Sequence, residues 1–236
     1  FIHDIYYEYV KYSLSKNFLN FNFLLVFAYI LLCEKDSVRN RLKHEYTMVD
    51  EFQDTNEIQL KIAMLLSKGN IAVVGDWKQS IFSFQYAEVE NIQNFEERLK
   101  KYKKQLNNDE KRINYSVDLV EEINLKQNYR STQEILDFSE KSLTLPGKDD
   151  EEIKDEEVLQ KITSLQSNKN GDSSIEAFKS DDEVEAVLHK IQEAVDSEEY
   201  SSEGKKLDYG DIAVLTRSRS FGLDLQEKAR EYSIPV

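Results

Sequence analysis

The 236-residue chain exceeds one typical domain, and with 40% hydrophobic and 11% aromatic residues it can bury a core, so a net charge of −14 does not make it a disordered acidic tail. A single cysteine, Cys33, excludes a disulfide framework and a thiol-held zinc cluster and predicts a reducing, cytoplasmic setting, while seven glycines and two prolines exclude collagenous and low-complexity classes. The acidity argues against nucleic acid as a partner, but it is uneven: 18 Lys+Arg face 19 Asp+Glu up to Arg130, and 13 face 26 after it.

Taken in chain order, residues 5–35 carry apolar side chains at helical spacing with no Pro or Gly and predict two helices, broken around Ser13 to Asn17. Their apolar run, Phe23 to Cys33, is far shorter than the roughly 20 residues of a bilayer span, so it reads as a core helix, with no membrane partner. The opening Phe1 without a signal peptide and the ending Ile234-Pro235-Val236 predict a piece of a longer polypeptide. Tyr46 to Val49 is a short strand ending on Asp50-Glu51. Asp54 or Thr55 caps a helix with Ile58, Ile62, Leu65 and Leu66 on one face, Gly69 stops it, and Ile71 to Val74 is a second buried strand. Strand, helix and strand with short connections predict a parallel sheet.

A charged helix follows over about Val89 to Leu106, then polar residues 107–120 with no clear period. Glu122 to Leu125 reads as a strand, and Ser131 or Thr132 as the cap of another helix. The acidic, Ser/Asn-rich stretch 146–171 reads as a surface insertion. A last α/β unit is predicted from a strand at Ser174 to Phe178, a helix at Asp181 to Val195, a strand at Asp211 to Thr216 and a helix at Phe221 to Tyr232.

Chemistry concentrates where the two central strands end. Paired carboxylates Asp50-Glu51 at the C-terminal end of a parallel strand lie where open α/β sheets bind ligands, and suit a magnesium ligand beside a base for an attacking water. Gly75-Asp76-Trp77-Lys78-Gln79-Ser80 follows the second strand, so Gln79 arrives beside that pair, in reach of a γ-phosphate. Phe82, Phe84 and Tyr86 then alternate along a loop, a spacing that suits stacking on bases of single-stranded nucleic acid.

Three segments, Val49-Asp50-Glu51-Phe52-Gln53-Asp54-Thr55-Asn56, Val74-Gly75-Asp76-Trp77-Lys78-Gln79-Ser80-Ile81-Phe82 and Leu125-Lys126-Gln127-Asn128-Tyr129-Arg130-Ser131, resemble motifs II, III and IV of the UvrD/Rep/PcrA superfamily 1 helicases in order and spacing. The resemblance implies an α/β fold of RecA-like parallel sheets flanked by helices, in parts of two domains. Residues 1–17 would be the tail of a helical insertion, 18–120 the C-terminal half of the first RecA-like domain, and 121–236 the N-terminal part of the second.

It further implies ATP and Mg2+ as cofactors, with Asp50 on the metal, Asp76 and Tyr129 on the nucleotide, and Glu51, Gln79 and Arg130 in hydrolysis. Phe82, Phe84 and Gln85 would face DNA, and the partners would be single-stranded and duplex DNA together with further segments of the same polypeptide. Gln85-Tyr86 stands where the family has Arg-Gly, and Asn20-Phe21-Asn22-Phe23 where it has Asp-Phe-Asp-Asp. No Gly-x-x-x-x-Gly-Lys-Ser/Thr occurs in these 236 residues, which predicts that the chain alone neither holds ATP tightly nor hydrolyses it. Two rival readings are a metal-dependent nuclease built on Asp50, Glu51, Asp54 and Asp76, and a non-catalytic interaction module docking through the acidic second half.

Overall fold

The computed structural model describes residues 2–80, 92, 94–117, 120–143, 165–169, 175–197, 201–202 and 205–235. They divide into two compact units, Phe1–Ile123 and Asn124–Val236.

In the first unit, α1 (Ile2–Ser15) and α2 (Phe21–Glu34) flank a break at residues 16–20. Asn17 there takes a φ of 54°, and the Asn20 side chain caps α2 by accepting the Phe23 N–H at 2.8 Å. Asparagine serves that capping role as well as an aspartate would, which gives the Asn20 departure a structural reason. Tyr6, Tyr9, Phe23 and Phe27 form a file of tilted rings, with successive centroids 6.5, 5.9 and 5.8 Å apart. A further helix, α3 (Asp36–Leu42), carries the buried Arg39.

Strand β1 (His44–Val49) pairs in parallel with β2 (Ser67–Val73), matching Thr47 with Ile71 and Val49 with Val73. The crossover is α4 (Glu57–Leu66). Its cap is Asn56 rather than Asp54 or Thr55. The Asn56 side chain accepts the Gln59 N–H at 3.1 Å, and the Gln59 side chain accepts the Asn56 N–H at 2.9 Å, a reciprocal pairing that satisfies two helix-end donors. Asp54 and Thr55 are taken up by a 3-10 turn over Phe52–Asp54. The helix ends at Leu66, before Gly69, which lies inside β2 at φ 132°; a Cβ added there would meet Tyr115 Cβ at 3.1 Å.

Leu60, Ala63, Met64 and Leu65 are the buried residues of α4, a stripe shifted from the expected 58/62/65/66 face. Leu60, Met64 and Leu65 join Leu32, Phe52, Leu99, Tyr102, Leu106 and Ile113 in one core. Leu99, Tyr102 and Leu106 come from α5 (Phe95–Leu106), the described part of the expected charged helix. The polar stretch after it is fixed by Asn107, whose side chain accepts the N–H groups of Arg112 and Ile113 and donates to the Ile113 carbonyl.

In the second unit, β3 (Gln127–Asn128) pairs in parallel with β4 (Gln166–Ser167), so part of the expected insertion joins a ladder. Helix α6 (Gln133–Leu143) follows β3. Helices α7 (Glu183–Asp196) and α8 (Arg219–Glu231) enclose Leu188, Leu225, Ala229 and Ile234. A small antiparallel pair, β5 (Ser201–Ser202) and β6 (Lys205–Lys206), lies between them in sequence.

The strands expected at 122–125, 174–178 and 211–216 do not form among the described residues; a 3-10 turn, Tyr209–Asp211, opens the last of these. Ile123, Leu125, Ile175, Phe178 and Leu215 are exposed instead. A strand requires a hydrogen-bonded neighbour as well as β-prone side chains, and no described segment supplies one. The result is a mixed α/β chain with small parallel sheets. No helix among the described residues is long and apolar enough to cross a membrane.

Candidate nucleotide site

Each strand of the β1–β2 pair delivers a polar loop at its C-terminal end, and the loops are joined backbone to backbone. The Phe52 N–H donates to the Val74 carbonyl at 2.9 Å, and the Val74 N–H to the Val49 carbonyl at 2.9 Å. Asp50 and Glu51 are exposed at the end of β1. Glu51 turns the chain with φ 47° and ψ 44°, a left-handed conformation uncommon for a residue with a Cβ, and its N–H is held by Asp50 Oδ1 at 2.9 Å. A groove of about 260 Å3 opens here, lined by Asp50, Glu51, Asp54, Thr55 and Gln59 among others.

The second loop is organised by Asp76. Its carboxylate accepts the Lys78 N–H at 3.1 Å and Gln79 Nε2 at 3.1 Å, and pairs with Lys78 Nζ at 2.7 Å. Burial pushes this carboxyl up, but the hydrogen bonds from Lys78 and Gln79 outweigh it and hold it below the ordinary aspartate value.

Between the loops lies Gln53, 2% exposed. Its Nε2 donates to Glu51 Oε2 at 2.7 Å, and its Oε1 accepts the Asp76 N–H at 3.0 Å. Gly75 makes room for this: a Cβ there would meet Gln53 Oε1 at 2.5 Å and the Phe52 nitrogen at 3.0 Å.

Asp50, Glu51, Asp76 and Gln79 are therefore brought into one connected arrangement in the first unit. Tyr129 and Arg130 belong to the second unit, in the turn between β3 and α6, where Asn128 Oδ1 accepts the N–H groups of Arg130 and Ser131 at 2.9 and 2.8 Å. Tyr129 is 78% exposed there and free to offer a ring face. Phe82, Phe84 and Gln85 lie outside the described residues.

Magnesium is ordinarily held by one or two carboxylates together with waters and phosphate oxygens. The donor set fits that demand: Asp50 is exposed at the groove, and Asp54 Oδ1, on the same groove, is buried without a hydrogen-bond partner. Among the described residues no three His, Cys, Asp or Glu gather to hold a metal by themselves, so the four carboxylates of the nuclease reading do not form an all-protein metal cage.

Sequence profiles agree with this layout. That of the UvrD/REP helicase N-terminal domain matches residues 1–100, and that of the UvrD-like helicase C-terminal domain matches residues 123–236. The chain belongs to the UvrD/Rep helicase family.

Among its relatives, a probable DNA helicase II homolog of Mycoplasma capricolum is 28% identical over 98% of this chain and 28% of its own length. The DNA helicase II of Haemophilus influenzae is 33% identical over 92% of the chain and 26% of its own length. The exonuclease/helicase subunit RexA of Lactococcus lactis is 33% identical over the whole chain and 20% of its own length. The chain thus spans between a fifth and three-tenths of each of these UvrD/Rep relatives.

Gln53 is the site residue to which motif reading assigned no part. The available signal was chemical: a glutamine beside Phe52 on a segment returning to the core must pair both ends of its amide, and the strand-end loops are its nearest polar neighbours.

Proposed function

We propose that this chain carries the hydrolytic and coupling loops of a 3′ to 5′ ATP-dependent DNA helicase, within a longer polypeptide whose other segments supply the phosphate-cradling loop. The observation that carries the reading is the union of the Asp50-Glu51 loop with the Asp76–Gln79 loop at the ends of two parallel strands. The family membership supports it, and the parallel β1–α4–β2 unit supports a RecA-like assignment for residues 18–120, with 121–236 taken, on the family membership alone, as part of a second such domain. In the first domain, residues 1–17 form the tail of a helical insertion.

When bound, Mg-ATP would supply an activated γ-phosphoryl group, and Asp50 would hold its metal. Glu51 takes the proton of the attacking water. Gln79, steadied by Asp76, contacts the γ-phosphate and passes its presence to the loop that follows, where Phe82, Phe84 and Gln85 meet single-stranded DNA. Tyr129 stacks on the adenine, and Arg130 neutralises charge as hydrolysis proceeds. The Gln85-Tyr86 pair removes a cation from the DNA-facing loop, so stacking carries more of its grip there.

The test is ATP turnover and duplex unwinding by the full-length polypeptide with and without single-stranded DNA. DNA-stimulated hydrolysis that falls by about 100-fold or more in Glu51→Gln is expected for loss of a general base. Hydrolysis unaffected by Glu51→Gln would overturn the reading. A full-length protein that binds DNA or a protein through its acidic half without ever turning over ATP would favour the interaction module.

A further inference from the structure

We propose that Gln53 is the positioning residue of this site, setting the Glu51 carboxylate and tying it to the loop that carries Gln79; the inference rests on the helicase reading above. The amide is almost fully buried and both its ends are used. Its orientation is dictated by its partners. The Asp76 main-chain N–H is only a donor and the Glu51 carboxylate only an acceptor, so a flipped amide would set N–H against N–H and oxygen against oxygen. A third bond runs from Ser80 Oγ to the Gln53 carbonyl at 3.4 Å, fastening the far side of the second loop to the same residue.

This arrangement has two consequences for chemistry. One oxygen of Glu51, Oε2, is held by a neutral donor at 2.7 Å, which stops the carboxylate from swinging on its exposed turn. Its other oxygen is left to accept a proton from water. The same amide then connects Glu51 through the Asp76 N–H to the aspartate that grips Gln79, so Glu51 and Gln79 share one hydrogen-bonded chain: Glu51, Gln53, Asp76, Gln79. A displacement of Gln79 is transmitted to the base through three contacts, none of which involves a mobile surface charge pair. Gly75 is part of the device, since a Cβ there would come within 2.5 Å of the amide oxygen and force a shift.

The experiment compares Gln53→Met, which keeps volume and removes both hydrogen bonds, with Gln53→Glu, which keeps an acceptor for the Asp76 N–H and turns an acceptor toward Glu51. Both are made in the full-length polypeptide alongside Glu51→Gln, and steady-state hydrolysis is measured as kcat and KM for ATP. Both Gln53 variants are expected to lose about 10- to 100-fold in kcat, as partners of catalytic groups commonly do, with KM and the folded fraction within about 2-fold of the parent.

Adding Gln53→Met to Glu51→Gln should cost clearly less than Gln53→Met costs alone, because its hold on the base is already lost and only its tie to the Gln79 loop remains to be broken. Retained kcat in either variant, or a loss in the double variant equal to the two single losses combined, would overturn the proposal. So would failure of both Gln53 variants to fold while Glu51→Gln folds, because the residue would then be purely structural. If Glu51→Gln itself hydrolyses ATP normally, the helicase reading is what fails.

Discussion

The Nε of Arg112 donates to the carbonyl oxygen of Cys33 at 3.1 Å, joining segments 79 residues apart. The same carbonyl accepts Arg39 Nη1 at 3.0 Å, and Arg39 also reaches the Leu32 carbonyl at 2.7 Å. Arg112 Nη1 satisfies the Leu106 carbonyl at 2.9 Å. Two buried guanidinium groups thus cap the carbonyl ends of α2 and α5, while Asp36, Asp109 and Glu110 at the surface balance their charge. Helix ends leave orphan carbonyls, and forked cations satisfy them well.

Replacing Arg112 by methionine keeps the apolar stem and strands the Leu106 carbonyl. A loss of about 2 kcal/mol is expected from an unsatisfied buried acceptor, read as a lower urea midpoint with an unchanged slope. Lysine, with one ammonium in place of a fork, should restore less than half of it. A midpoint unmoved by Arg112→Met would remove the capping role.

The α7–α8 pair offers a second stability test. Ala229 is fully buried against Leu188, Leu225 and Ile234. Ala229→Leu adds three carbons at this buried position and should cost about 1–3 kcal/mol, seen as lost amide-exchange protection in α7 and α8. Protection equal to that of the parent would show that the pair has slack.

How much of this was legible in the sequence differs between the two units. Around β1, α4 and β2 the apolar runs are short, bounded by polar turns and matched to a single core, so the order of elements and the placement of Asp50, Glu51, Asp76 and Gln79 follow from pattern. Details set by competition between neighbours do not: Asn56 wins the cap over Asp54 and Thr55 because Gln59 sits at the reciprocal position, and Gly69 is absorbed by β2. In the second unit, segments such as 211–216 have strand composition but no strand partner among the described residues. Periodicity reports which side chains want burial; it does not report whether a neighbour is present to bury them.

Gly75 supports a direct test of close approach. Its φ is not left-handed, so the cost of a side chain comes from contact alone: Gln53 Oε1 at 2.5 Å, Ile92 Cδ1 at 2.9 Å and the Phe52 nitrogen at 3.0 Å. Gly75→Ala should destabilise by about 1–3 kcal/mol. Shortening Gln53 to alanine removes the nearest of these clashes, so the double variant should be more stable than the two single losses summed, by about 0.5 kcal/mol or more. Denaturation of the four variants measures that coupling, and strict additivity would mean that Gly75 and Gln53 do not share the space.

Asp76 gives the pH dependence. Burial raises its carboxyl, but donation from the Lys78 and Gln79 side chains and the Lys78 N–H lowers it further than burial raises it, leaving the folded value below the ordinary 3.8. A carboxyl depressed in the folded state contributes stability in full above its unfolded value and loses it as pH falls through the folded one. Asp76→Asn keeps an oxygen for the Lys78 N–H but gives up the ion pair to Lys78 Nζ, so the parent should be the more stable at pH 7. The gap should persist down to the unfolded carboxylate range and close on further acidification through the lower folded value. Urea midpoints of both proteins across that range decide it. A gap that stays constant into the acid would mean that the ionised form of Asp76 contributes no stability to the loop that carries Gln79.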